Sequence, residues 1–90
     1  MTTATTTTTA RIAELDAIIL AADVKIAQAQ LKIAQFTEVC ATPAPTPYYV
    51  KARREIMASL KAHLADCRAH RRDAIAKRKE LVTRLREFGF

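Results

Sequence analysis

The chain reads as all-α, an antiparallel two-helix hairpin of coiled-coil character, expected to pack into a larger helical oligomer or complex. Three observations carry that expectation. Apolar residues from Ile12 to Cys40 recur at alternating spacings of three and four, a proline cluster divides the chain at residues 42–47, and one glycine among abundant alanine disfavours strands.

Each element has a local cause. Residues 1–9 form a threonine-rich leader, expected to be flexible or ordered by a partner, because β-branched threonine is a poor helix former. A threonine hydroxyl is a good N-cap, so Thr8 or Thr9 is placed to start a first helix over residues 10–41. Pro43 disfavours helical geometry at Thr42 and ends that helix. The turn TPAPTP (residues 42–47) follows, and Thr46 with Pro47 in the first helical position opens a second helix over residues 47–88. Gly89 suits a left-handed stop, with Phe90 folding back onto Leu85.

A connector this short makes the helices antiparallel neighbours within one hairpin domain, residues 10–90. Partners across it are expected to have numbers totalling about 89, give or take a turn, the turn being centred near Ala44 and Pro45. That arithmetic sets Arg71 opposite Ile18, close to Glu14 and Asp16, and Cys67 beside Ala22, with Asp23 roughly opposite His63, Cys67 and His70 as a fourth possible ligand type. It also keeps Cys40 and Cys67 about 27 Å apart, too far for a disulfide, so both read as small core residues in a reducing compartment.

The first helix carries one heptad seam: Ile12, Leu15, Ile19, Ala22, Ile26, Ala29, Ile33, Phe36 and Cys40. Its partner seam in the second helix runs through Val50, Met57, Leu60, Leu64, Cys67, Ala74, Leu81, Leu85 and Phe88, with Arg53, Arg71 and Arg78 interrupting it. A second three-four series remains on the first helix: Ala13, Ala17, Leu20, Val24, Ala27, Leu31 and Ala34. At about 100° per residue it lies well over 100° around the helix from the seam, so one partner helix cannot cover both. The expectation is a helix sandwiched between neighbours; the plainer alternative is that alanine on the back simply favours helix.

Charge is shared unevenly. The net charge is +6, and residues 47–90 hold twelve cations against five acids while residues 10–40 hold three against four. Arg68, Arg71, Arg72, Lys77, Arg78 and Lys79 concentrate cations suited to a phosphate backbone. No aromatic is interleaved there for base stacking, and no reading motif is present, so nucleic acid is possible and not favoured. His63, Cys67 and His70 share one helical face and could serve as zinc ligands, yet the paired ligand motifs of a structural site are missing. The bland reading, amphipathic histidines flanking a core cysteine, is preferred.

These features argue against other classes. Glycine-rich phosphate loops and a nucleophile at a useful spacing from a base are lacking, so neither an enzyme nor a cofactor or small-molecule substrate is expected. The longest apolar run, residues 17–22, is too short to span a bilayer, and tryptophan is absent, so no membrane partner is expected. Residues 1–10 lack the cations and apolar core of a targeting segment, which points to the cytoplasm or a particle assembled there. The functional expectation is a non-enzymatic structural or assembly subunit, by analogy of size and shape with virion and connector components. The rival is a basic factor that binds nucleic-acid backbones without sequence preference through residues 68–79.

Overall fold

Proline and glycine set the boundaries. A computed structural model describes residues 3–89, and among them the regular structure is two helices, α1 (Thr3–Cys40) and α2 (Pro47–Phe88). They pack against each other as an antiparallel hairpin, a rod of 67 × 15 × 15 Å. α1 ends as the Ala41 N–H bonds the Thr37 carbonyl and the Thr42 hydroxyl donates back to the Val39 carbonyl at 2.7 Å, just before Pro43. Thr46 is extended at the N-cap of α2, but its hydroxyl makes no cap bond; its carbonyl instead accepts from the N–H groups of Tyr49 and Val50. Gly89, at φ +76°, donates its N–H to Leu85 at 2.9 Å and closes α2 as the sequence predicts. The expected fold-back of Phe90 lies outside the described residues.

The leader differs from expectation. Residues 3–9 are the first two turns of α1 rather than a segment preceding it, so neither Thr8 nor Thr9 is an N-cap. The cause is tertiary. α2 is 42 residues long, and lengthening α1 keeps its far end covered, with Thr8 half-buried. Packing here overrides weak threonine propensity.

The register agrees with expectation to within a turn. Leu15 and Ile18 share a cleft with His70 and Ala74, and Ala22 shares one with Cys67. Arg71 Nε donates to Asp23 Oδ1, and Arg78 Nε donates to Asp16 Oδ1. A helical side chain leans toward the N-terminus of its own helix, so each arginine reaches about a turn past the residue level with it. Arg71 therefore pairs with Asp23 rather than with Glu14 or Asp16. At the elbow Arg53 leans the same way and donates to the Thr42 carbonyl at 2.6 Å.

Along the hairpin Leu15 lies by Ala74 and Ala22 by Cys67. Small residues thus occupy at least one side of each of these layers. Only Leu15, Ala22, Ala29, Cys67 and Ala74 are fully buried among the described residues, because two helices cover completely no more than their line of closest approach. Ile12, Ile19, Ile26, Ile33, Phe36, Leu60, Leu64, Leu81 and Leu85 line that seam half-buried. Cys40, expected in the core, is exposed, because α1 ends there and it borders the open concavity at the elbow. Val50 and Phe88, at the two ends of the second seam, are exposed as well.

The arginines that interrupt the α2 seam sit on it. Arg53, Arg71 and Arg78 are half-buried, laying their stems on the seam while their heads reach polar partners. Both Arg–Asp pairs remain partly open to water, so each contributes modestly. A double-mutant cycle of Arg71→Ala and Asp23→Ala is expected to give a coupling of about 0.2–1 kcal/mol that shrinks as salt rises; chemical denaturation of the four proteins measures it.

Candidate functional site

The second stripe of α1 faces away from α2. Ala13, Ala17, Leu20, Val24, Ala27, Leu31 and Ala34 are all exposed, with Leu20 at 68 % and Val24 and Leu31 each at 57 %. Leucine and valine side chains this open, in line along one helix, form a continuous apolar strip rather than scattered surface residues. Its borders are Glu14, Gln28 and Gln35 on one side, and Asp16, Asp23 and Gln30 on the other. The three cations of α1, Arg11, Lys25 and Lys32, fall on another flank, so the strip and its borders carry no positive charge.

His63, Cys67 and His70 do come to one place. They line a small cleft of about 160 Å³ with Ala22, Lys25 and Asp66. Cys67 Sγ lies 3.6 Å from His63 Nε2, with the cysteine buried. Among the described residues, no three His, Cys, Asp or Glu side chains converge as metal ligands do. Asp23, the fourth ligand type that the sequence brings into range, is bound by Arg71 instead.

The six basic candidates of residues 68–79 separate. Arg71 and Arg78 are held by Asp23 and Asp16. Lys77 falls on the opposite flank, lining a cleft with Arg11, His70 and Asp73. Arg68, Arg72 and Lys79 remain exposed on one face of α2. That face also carries Lys51, Arg54, Lys61 and Arg86, four residues that the search for a dense local run passes over. The signal was available as cations recurring at spacings of three, four and seven over the whole helix instead of a cluster in one segment.

The elbow adds a feature the sequence only hints at. Cys40, Thr42, Ala44, Val50, Arg53 and Met57 border an open concavity of about 650 Å³ at the elbow. Tyr48 and Tyr49 stand beside it edge to face, ring centres 5.7 Å apart, both exposed.

Fold and surfaces together define the class of an α-helical hairpin with one apolar outer face and a separate basic one. No protein-family model matches the chain, and no curated protein or solved structure is significantly similar to it. No helix among the described residues is long and apolar enough to cross a membrane.

Proposed function

We propose that the chain is a non-enzymatic structural or assembly subunit whose α1 outer stripe docks against itself or against a larger multi-subunit particle. One observation carries the reading: Leu20, Val24 and Leu31, among the most exposed large apolar residues of the chain, stand in line on a face of a helix that holds no cation and whose opposite side is already occupied. Small cores need help. The five residues buried among those described supply little of the stability that a hairpin of this length requires, so further burial by a neighbour supports the fold as well as the complex.

The magnitudes are consistent with docking along the whole stripe. Burying a leucine or valine side chain completely is worth about 1.5–3 kcal/mol, and these three are already partly covered, which leaves about 3–6 kcal/mol among them. Association itself costs about 4 kcal/mol or more. The alanines must therefore contribute, which they do by letting a second helix approach closely along the strip.

Leu20→Glu combined with Leu31→Glu tests the reading. The double variant is expected to associate at least a hundredfold more weakly than the wild type, by light scattering over a concentration series at two salt concentrations. Its helicity by circular dichroism is expected to stay close to wild type, since both positions face away from α2. Equal association of the two proteins would reduce the stripe to ordinary surface.

A further inference from the structure

α2 sorts its charges by face. In the heptad frame fixed by its buried positions Cys67 and Ala74, Asp66, Asp73, Glu80 and Glu87 fall in one column and Glu55 in another. Lys51, Arg54, Lys61, Arg68, Arg72, Lys79 and Arg86 fall in two adjacent columns on the other side of the helix, separated from the four-acid column by about 100° or more. All seven are exposed, and among the described residues none lies within ion-pair distance of a carboxylate. The ridge runs about 50 Å along the rod. The facing column of α1 is Asp16, Asp23, Gln30 and Thr37, and its two acids are already engaged by Arg78 and Arg71.

From this segregation we propose that the α2 ridge is a binding surface for a nucleic-acid backbone, best suited to a single strand. The reading is independent of the assembly proposal, since the ridge and the apolar stripe lie on different helices. Charge complementarity commits the occupant to an extended polyanion. A protein partner fits poorly, because stable protein interfaces centre on desolvated apolar or aromatic anchors, and this ridge has only the partly exposed Ile75 and the half-buried Val82. A lipid surface fits poorly too, for the apolar stripe that would enter it is on α1.

The ridge composition suits phosphate. Its four arginines present planar forks and its three lysines present point charges. Ala58 and Ala65 between them let a chain of phosphates approach the helix closely. A straight ridge favours a strand that can straighten along it, whereas either strand of a duplex winds away within half a turn. With no aromatic on the ridge there is no base stacking, so the binding is sequence-independent and salt-sensitive.

Fluorescence anisotropy with a labelled 20-nucleotide oligo-dT, the full chain and a salt series tests this. Seven neutralised phosphates give a log–log salt slope of about −5, so affinity is expected to fall roughly a thousandfold between 50 and 200 mM salt. Arg68→Gln/Arg72→Gln/Lys79→Gln is expected to reduce the slope by about 2 and weaken binding at 50 mM salt by roughly a hundredfold. Lys25→Gln/Lys32→Gln/Lys77→Gln removes the same charge from the other flank and is expected to change affinity only a few-fold. All six sites are exposed, and circular dichroism checks that both variants keep their helicity. The proposal is overturned by absence of binding at 50 mM salt, or by equal losses in the two triple variants. It is also overturned if polyglutamate or anionic phosphatidylserine vesicles bind as well as oligo-dT at equal charge.

Discussion

Leu15→Ala is expected to abolish the cooperative thermal transition of the isolated hairpin. Leu15 is the one large side chain that is completely buried among the described residues, at 2 % exposure, and the other buried positions are alanines and a cysteine. Truncating a buried leucine costs about 2.7–5 kcal/mol, through lost transfer energy and the cavity left behind. A single small core rarely supplies more than about 3–5 kcal/mol, so the substitution removes most or all of the margin. A melt followed by circular dichroism at 222 nm reads the result directly. Leu20→Ala, the same chemistry on the open face, is the internal comparison and is expected to move the isolated chain by no more than about 0.5 kcal/mol. If both variants melt as the wild type does, the seam is not the source of stability.

Ala22→Leu is expected to destabilise the hairpin by the opposite route. Ala22 is buried where the arms approach closely, beside the arginine that binds Asp23. Ala22 lines the shallow, open cleft under His63 and His70, which takes up part of the added side chain and leaves the rest pressing on Cys67 of the facing helix. Overpacking of this kind costs about 1–3 kcal/mol. The arms must separate locally, which draws the Arg71 guanidinium away from its carboxylate. The urea midpoint is expected to drop by about 1 M. A variant as stable as the wild type would mean that the small-residue layers do not set the spacing of the helices.

Much of this architecture was legible in the primary structure, for reasons that differ between elements. The α1 seam could be read because isoleucine and alanine keep strict three-four spacing across residues 12–40, and such periodicity has few interpretations other than a buried helical face. Pro43, Pro47 and Gly89 mark boundaries through backbone sterics, which act locally. Register was legible to within a turn by counting residues around the connector, which brings Ala22 to Cys67 and Leu15 to Ala74. Side-chain reach was not legible in the same way, because an arginine leans toward the N-terminus of its own helix and so Arg71 finds Asp23 rather than the acids nearest by count. Thr3 to Thr9 were misplaced because intrinsic propensity is a weak prior where a long neighbouring helix offers cover. The basic ridge was missed because charge was sought as a dense run, and Arg68 to Lys79 mixes three faces of α2.

Because the arms are joined at one end only, every contact across the rod closes a loop whose length is set by its distance from the elbow. The Arg53–Thr42 clamp spans 11 residues, the Arg71–Asp23 pair 48 and the Arg78–Asp16 pair 62. Chain entropy therefore makes the structure a zipper with its slider at the prolines: pairing beside Arg53 forms at the least entropic cost, and the threonine end is the last to close and the first to fray.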